Sequence, residues 1–201
     1  MLLGFQCPIC NQTGPRFCRR CLERLPPAGR IRPLPGVSSA KAVWAYDYGV
    51  QRLVLAAKNG NRRDLLKWAA TELVGQGIDL GSGHSASGGQ QVDVVTWMPA
   101  SSDGRRRRGF DQGQELARVV ASSLEVPCRR LVGRRRGESQ IGRSRQQRLV
   151  GPTLFGVRAA PRRVLVVDDV VTTGGSVAAL AKVVRRQGAS EVHFLAVAAV
   201  D

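Results

Sequence analysis

The residues best suited to chemistry lie in one short stretch, residues 164–176, with the sequence Val-Leu-Val-Val-Asp-Asp-Val-Val-Thr-Thr-Gly-Gly-Ser. An apolar, β-branched run typical of a buried parallel strand ends at two adjacent carboxylates, Asp168 and Asp169. Threonines, glycines and a serine follow, which offer hydroxyl and backbone N–H groups to an anion, and we predict Ser176 as a helix N-cap. Carboxylates can accept hydrogen bonds from sugar hydroxyls or hold a magnesium ion that offsets phosphate charge. The stretch therefore predicts a sugar-phosphate site, although a strand that ends in a Thr/Gly turn is the structural alternative.

Four cysteines near the beginning of the chain form a second group. Cys7 and Cys10 make one C-x-x-C pair, and Cys18 and Cys21 make another after seven intervening residues. Four thiolates can close a tetrahedral zinc site. Disulfides are disfavoured because the chain shows no export signal, and a redox C-x-x-C is disfavoured because the pair is duplicated. We predict a structural zinc ion, and we interpret the separate Cys128 as a small buried hydrophobe.

Length and composition restrict the class of protein. The chain has 201 residues, of which 43% are hydrophobic, enough for one medium domain with a core and a small additional segment. No apolar run approaches the length of a membrane span, and the first residues lack the charged head and apolar stretch of a signal peptide. A cytoplasmic location is the expectation.

The charge is strongly basic and unevenly distributed. The formal net charge is +16, and residues 105–163 alone hold 16 arginines against four acidic residues. Phosphate-rich partners, either a nucleic-acid backbone or a pyrophosphate-bearing ligand, are the natural interpretation. A GC-rich genome that favours arginine codons is the alternative, because 27 of the 31 basic residues are Arg.

The pattern of elements predicts an α/β fold. Strands are expected near residues 41–46, 92–98, 164–167 and 192–199, with helices between them, and further short strands around residues 128–132 and 152–157. This alternation predicts a parallel sheet with helices on both faces. The proline-rich segment before residue 35 predicts a boundary, with the zinc knuckle and linker in residues 1–35 and the α/β domain in residues 36–201.

A run of arginines follows the strand predicted near residues 92–98. Guanidinium groups bind phosphate oxygens in pairs, and helix starts favour anions, so an arginine run between a strand and an amphipathic helix suits pyrophosphate or another polyanion. A solvated face is the alternative. The run consists of Arg105, Arg106, Arg107 and Arg108.

Two resemblances sharpen this interpretation. The stretch from Asp168 to Ser176 resembles the 5-phosphoribosyl-1-pyrophosphate (PRPP) motif of type I phosphoribosyltransferases. Together with Arg-Arg-Gly-Phe-Asp-Gln at residues 107–112, the four-cysteine head and Lys58, it resembles the ComF family over nearly the whole chain. That family usually has Asn at the position of Asp111 and Thr at that of Ser176, which puts only affinity in question.

The resemblances imply particular roles. Asp168 and Asp169 would bind the ribose hydroxyls, and a loop would wrap the 5′-phosphate. Lys58 and the arginine run would contact pyrophosphate or another polyanion, with Mg²⁺ accompanying PRPP. A flexible loop would close over the site and carry Gln140, Arg145 and Arg148. The implied phosphate loop consists of Thr172, Thr173, Gly174, Gly175 and Ser176.

The resemblance also implies a function. ComF-like proteins have a phosphoribosyltransferase fold with an amino-terminal zinc finger and are tied to competence and the internalisation of single-stranded DNA, so a PRPP-binding protein that assists DNA uptake, together with a competence helicase, is the first hypothesis. An active phosphoribosyltransferase that transfers phosphoribose to a nitrogen nucleophile is the second. The third is a single-strand nucleic-acid adaptor with a vestigial PRPP site, in which exposed aromatics would stack on bases. The aromatics suited to that role are Trp44, Tyr46, Tyr48 and Phe110.

Overall fold

A computed structural model of the chain describes residues 5–14, 18–59, 62–75, 92–135 and 153–200. No helix within these ranges is long and apolar enough to cross a membrane. The strands are β1 (Phe5–Gln6), β2 (Thr13–Gly14), β3 (Ser39–Ala45), β4 (Val94–Trp97), β5 (Val132–Arg134), β6 (Leu154–Gly156), β7 (Arg163–Val171) and β8 (Glu191–Ala199). The helices are α1 (Arg19–Leu22), α2 (Tyr48–Asn59), α3 (Arg63–Gly75), α4 (Ser102–Arg108), α5 (Gln112–Ser123) and α6 (Gly175–Arg186).

The main sheet has four parallel strands in the order β3-β8-β7-β4. The two central strands, β7 and β8, are nine residues long, and their middle residues are almost fully buried. Covering helices exclude water from both faces, so these strands are apolar along their length rather than alternating. Because all four strands run the same way, their carboxyl ends meet at one edge of the sheet.

Helices cover both faces of the sheet, which confirms the predicted fold class. On one face α2, α3 and α5 bury a cluster that includes Leu65, Leu116 and Leu165. On the other face α6 packs with the antiparallel ribbon of β5 and β6 around Leu180 and Phe194. Trp44 of β3 stacks on Trp68 of α3 with ring centroids 5.2 Å apart, and Trp68 packs against the core.

The four-cysteine segment contacts the sheet domain at several points. Ile9 and Leu22 pack against the core on the face covered by α2, and Leu25 is itself part of that core. Arg52 of α2 donates from Nε to the carbonyl of Pro8 at 2.8 Å, and from Nη2 to Oδ1 of Asn11 at 2.9 Å. The boundary near residue 35 stays a prediction.

Three local features differ from the sequence expectations. The strand that carries Asp168 does not end at the acids but continues to Val171, because β7 keeps pairing with β8 as far as Ala199. The N-cap of α6 is Gly174 rather than Ser176, since the chain turns into the helix through a left-handed residue that glycine adopts without steric cost. Residues 105–108 are themselves helical and form most of α4.

The expected short strands are present with shifted bounds. Of the run predicted around residues 128–132, only residue 132 lies in β5, while Cys128 forms an isolated bridge with Val95 beside β4. The other run contains β6, which pairs antiparallel with β5. Residues 136–152 lie between β5 and β6 in the sequence and are outside the described residues. They include the predicted loop residues Gln140, Arg145 and Arg148.

Candidate functional site

The acid pair lies near the carboxyl end of β7, where parallel α/β sheets bind ligands. Asp169 forms an ion pair with Lys58 of α2, with 2.9 Å between Oδ2 and Nζ, and the two side chains are 16% and 27% exposed. Its other carboxylate oxygen accepts the backbone N–H of Val170 at 2.7 Å. Burial by itself lowers the pKa of Lys58, but the attraction of Asp169 and then of Asp168 outweighs it and raises that pKa. The lysine is therefore a fixed cation at the acid pair.

Asp168 has a different environment from its neighbour. Burial and the adjacent charge of Asp169 raise the pKa of Asp168 well above its ordinary value, although Lys58 and the N–H of Asp169 act in the opposite direction. Asp111 adds a smaller repulsion, so it lies close enough for its charge to act on this carboxyl. The two acids thus differ in character, one paired with a cation and one held in a site that favours its proton.

The predicted phosphate loop follows β7 directly and leads into α6. Gly174 has φ +75° and is buried, and the helix begins at the next residue. The first N–H groups of an α-helix have no carbonyl partner within the helix, so this end of α6 presents donors to an anion. A Cβ added to Gly174 would lie 2.2 Å from Cδ2 of Leu34, so the linker lies against the loop. The loop geometry thus requires glycine here for two separate reasons.

Gly174→Ala is expected to destabilise the protein more than Gly109→Ala, which serves as its control. Both glycines are left-handed, at φ +75° and +73°, so each substitution brings a backbone penalty of about 1–2 kcal/mol. Only the Gly174 substitution also meets Leu34, because nothing lies within 4 Å of a Cβ at Gly109. Urea denaturation should show about 0.5–1.5 kcal/mol of additional loss for Gly174→Ala, because the terminal methyl of Leu34 must move to another position. Equal losses for the two variants would contradict the contact with Leu34.

The loop after β4 is held by two side-chain caps. Ser101 caps α4 by accepting the N–H of Gly104 at 3.1 Å. Asp111 caps α5 by accepting the N–H of Gln114 at 3.4 Å, and its other oxygen accepts the N–H of Ala100 at 3.1 Å. An asparagine at this position offers only one carboxamide oxygen, so the carboxylate suits two backbone donors better. Asp111 therefore joins the loop after β4 to the start of α5.

The arginine run divides into one inward and three outward side chains. Arg105, Arg106 and Arg107 are exposed on α4. Arg108 folds back over Gly104, since a Cβ added to Gly104 would lie 2.6 Å from Nη2 of Arg108. The Nε of Arg108 is buried and has no hydrogen-bond partner among the described residues. Arg63 of α3 lies over the ring of Phe110 at 4.9 Å and adds a further cation beside α4. Of the four predicted arginines, Arg108 has the environment closest to that of a ligand-binding group.

A buried glutamine was not among the predicted site residues. Gln112, the first residue of α5, is 4% exposed and its Nε2 has no partner in the described part of the chain. It lines a small pocket together with Asp169. The available signal was its place at the end of the Arg-Arg-Gly-Phe-Asp-Gln motif. The other lining residues are Leu53, Val54, Ala57, Leu65, Leu66, Ala69 and Val197.

Most of the aromatics proposed to stack on bases do not face solvent, so that expectation was wrong for them. Trp44 is 7% exposed and stacks on Trp68, and Phe110 is 6% exposed beneath Arg63. Tyr46 is partly buried against the core. Tyr48 is 69% exposed and is the one member of the four with a free ring surface, although Arg52 lies near it. A base-stacking platform made from these four residues is therefore excluded.

The four predicted metal ligands converge. The sulfur atoms of Cys7, Cys10, Cys18 and Cys21 all lie within 4.8 Å of one another. Burial raises the pKa of Cys7, but the backbone N–H groups of Cys10, Ile9 and Cys18 outweigh it and lower that pKa to about 7. Backbone donors that favour a thiolate are suited to a zinc knuckle, and four sulfur ligands are the donor set of structural zinc sites. The residues present therefore fit a zinc ion.

Neither the acid pair nor Cys128 belongs to this cluster of four sulfurs. Burial raises the pKa of the Cys128 thiol and so favours its protonated form. The side chain packs against the core covered by α2, α3 and α5, in agreement with its interpretation as a small hydrophobe.

The carboxyl-terminal part of the chain is similar to a known domain family. Residues 111–200 match the family model of the phosphoribosyl transferase domain. The match begins at the Asp111 cap and includes the acid pair and the predicted phosphate loop, while Lys58 and the four cysteines lie outside it.

Most of the chain is also similar to particular proteins. It is 26% identical over 197 residues to the DNA utilization protein YhgH of Escherichia coli strain K12, covering 93% of this chain and 81% of the relative. With its counterpart in Salmonella typhimurium strain LT2 the identity is 27% over 195 residues, with the same coverage. A solved structure described as the allosteric regulatory enzyme of purine biosynthesis has a TM-score of 0.43 and 22% identity, and covers 66% of this chain and 25% of that one.

Proposed function

We propose that the protein binds PRPP or a related ribose phosphate at the carboxyl edge of its parallel sheet. The observation that carries the proposal is the acid pair of β7, which lies between a fixed cation, Lys58, and a glycine loop that opens a helix. Carboxylates suit ribose hydroxyls, and the helix start suits a phosphate, so both halves of the ligand find chemically matched groups.

Each group then has a defined task. Asp168 and Asp169 accept hydrogen bonds from ribose hydroxyls, and residues 172–176 surround the 5′-phosphate. Lys58 and Arg108, whose Nε is enclosed without a partner among the described residues, contact the pyrophosphate oxygens. The carboxylates and phosphates are the hard oxygen ligands that Mg²⁺ prefers, and a bound Mg²⁺ would neutralise pyrophosphate charge.

We also propose that this ligand site belongs to a ComF-like protein that assists the uptake or processing of single-stranded DNA. Two observations support the proposal: the relatives are described as DNA utilization proteins, and three arginines of α4 are exposed. Because most of the named aromatics are buried, DNA contact should come from phosphates rather than stacked bases. Affinity for a single-stranded oligonucleotide should then fall steeply with salt, and neutralising residues 105–107 should reduce that slope.

Titration calorimetry tests the ligand. The protein is titrated with PRPP with and without Mg²⁺, with ribose 5-phosphate, and with pyrophosphate. We expect saturable one-to-one binding of PRPP that strengthens with Mg²⁺, and weaker binding of ribose 5-phosphate. Absence of binding to both PRPP and ribose 5-phosphate would refute the proposal.

Release of pyrophosphate separates a binder from an enzyme. Incubation with PRPP, Mg²⁺ and a panel of nitrogen nucleophiles would release pyrophosphate only from an active phosphoribosyltransferase. A binder would retain PRPP without turnover, so the two functions give different results with the same protein and the same ligand.

A further inference from the structure

The outer face of the ribbon formed by β5 and β6 presents an aromatic ring to solvent. In this antiparallel pair Gly133 lies directly opposite Phe155. A Cβ added to Gly133 would lie within 2.9 Å of three carbons of the Phe155 ring, so the ring covers the glycine. Phe155 is nevertheless 46% exposed, and Val157, two residues further on, is 44% exposed. The ring is therefore held against the neighbouring strand while nearly half of the residue's surface faces water.

Packing on the rest of the domain uses the other face of the ribbon. Successive side chains of a strand point to opposite faces. Val132 is 1% exposed, and Leu154 packs with it against the core around Leu180. Phe155 is not part of that core. An aromatic ring can shield a glycine across a strand pair, but shielding Gly133 uses only part of the ring, so the exposed part is available to a partner.

The ribbon lies in a strongly basic part of the chain. Residues 126–135 and 153–158 include five arginines and no acidic residue. Arg135 is exposed, and its N–H pairs with a carbonyl across the ribbon, which continues the ladder and places this residue on the same face as Gly133. Arg130 is also exposed, and its Nε donates to a carbonyl of β5 at 3.2 Å, so its guanidinium lies beside that strand. A polyanion that carries flat apolar groups complements this surface, and single-stranded DNA is such a polymer.

We propose that Phe155 stacks on a base of single-stranded DNA, with Arg130 and Arg135 contacting the adjacent phosphates. This inference rests on the proposed DNA contact and adds a base-stacking residue to the phosphate contacts of α4. None of the four aromatics considered above lies on this ribbon, so Phe155 is the exception to a contact made through phosphates. An aromatic ring stacks on any base, so the contact favours a strand with bases over a bare backbone without selecting a sequence.

The test separates base stacking from phosphate binding in the full-length protein. Fluorescence anisotropy measures the affinity for two labelled strands of about 15 nucleotides, oligothymidine and an abasic strand with the same deoxyribose-phosphate backbone. The proteins are the wild type, Phe155→Leu and Tyr48→Leu. Tyr48 is the matched comparison because it is 69% exposed and also has an arginine, Arg52, beside its ring, but it lies on α2. Melting temperatures report whether each variant folds.

The wild type should bind oligothymidine roughly five- to thirtyfold more tightly than the abasic strand, which is the factor expected for one or two units of stacking energy. Phe155→Leu should lose most of this preference and bind the abasic strand as the wild type does. Its affinity for the abasic strand should keep the same dependence on salt, because the phosphate contacts remain. Tyr48→Leu should keep the full preference.

The outcomes that would overturn the inference are distinct. If the wild type binds both strands equally, stacking fails while the proposed phosphate contacts stand. If it binds neither strand, the proposed DNA contact fails and stacking fails with it. A preference lost in Tyr48→Leu but kept in Phe155→Leu would place the stacked base on α2 instead.

Sedimentation velocity tests the other occupant of this surface, a second copy of the chain. If the wild type is a dimer that Phe155→Leu converts to monomers, the ring lies between two copies and the inference is wrong. A wild type and variant with the same sedimentation coefficient are expected. Should Phe155→Leu unfold, Phe155→Val, whose β-branched side chain suits a strand, must show the same loss of base preference.

Discussion

Asp169→Asn is expected to destabilise the folded protein and to weaken the proposed ribose-phosphate binding. The carboxylate lies 2.9 Å from the Lys58 ammonium, whose side chain is only 27% exposed, so its loss leaves a largely buried charge with only the weaker attraction of Asp168. Breaking a buried pair costs about 3–5 kcal/mol, and the remaining exposure of Lys58 places the expected loss nearer 2–3 kcal/mol. Loss of a charged hydrogen bond to the ligand should weaken binding by roughly ten- to a hundredfold. Calorimetric melting and ligand titration measure the two effects.

Asp168→Asn is the matched counterpart, and its effect on stability has the opposite sign. The folded-state pKa of Asp168 is raised by burial and by Asp169. Between the ordinary pKa of 3.8 and this raised value, the folded state holds a proton that the unfolded state has lost, so stability falls as the pH rises through that window. Asparagine removes this pH-dependent loss. The variant should melt higher than the wild type at pH 7–8 and still bind ribose phosphate poorly.

The pair of variants separates a functional acid from a structural one. If Asp168→Asn melts lower than the wild type across pH 5–8, its carboxyl stabilises the fold and the environment argued for it is wrong. If Asp169→Asn melts as the wild type does, the ion pair with Lys58 contributes nothing. A carboxylate that weakens the fold while strengthening ligand binding shows the trade between stability and activity expected at a functional site.

Local chemistry made the acid pair and the loop after it predictable. The apolar strand, the two acids and the glycine-rich turn follow one another directly in the sequence. Their local structure depends little on contacts with the rest of the chain. The same holds for the four cysteines, because two C-x-x-C pairs need only one tight reversal to converge. The local pattern could not decide which residue caps α6, because Ser176 and Gly174 both suit the N-cap position. The left-handed turn before the helix favours glycine.

Contacts between distant residues were beyond the sequence. The approach of Leu34 to Gly174 joins positions 140 residues apart, and the shared pocket of Gln112 and Asp169 depends on how α5 packs on the sheet. The burial of Trp44 and Phe110 likewise follows from packing against Trp68 and Arg63. Aromatic residues suit a core as well as a stacking surface, so composition alone cannot separate the two. Only the fold decides which side of the chain becomes interior.

Removal of the expected zinc ion is the second perturbation with a large expected effect. We expect the purified protein to hold one zinc ion per chain, bound by the sulfurs that lie within 4.8 Å of one another. Structural zinc contributes an apparent 10–16 kcal/mol of binding free energy in zinc-finger peptides, at about neutral pH, and this energy appears as folding energy. Chelation should therefore unfold the four-cysteine segment and lower the melting temperature. Elemental analysis and calorimetry before and after chelation measure both quantities.

The effect should extend beyond the cysteines because this segment contacts the sheet domain. Ile9 and Leu22 pack on the core. Arg52, on the same helix as Lys58, donates hydrogen bonds to two residues of the four-cysteine segment. Unfolding of the four-cysteine segment would expose part of that core and remove two hydrogen-bond partners of Arg52. Wild-type protein stripped of metal should therefore bind ribose 5-phosphate more weakly than protein that keeps its metal, with the deficit reversed on adding zinc back.

Cys18→Ser and Cys128→Ser distinguish a four-sulfur metal site from a general sensitivity to cysteine loss. Both replace one thiol by a hydroxyl, but only Cys18 belongs to the cluster, and Cys128 packs against the core elsewhere. Cys18→Ser should lose most of its zinc and melt lower, whereas Cys128→Ser should keep one zinc per chain and lose only the small stability of a partly buried thiol. Full zinc occupancy in Cys18→Ser, or none in the wild type under reducing conditions, would mean that the four sulfurs converge for a reason other than metal binding.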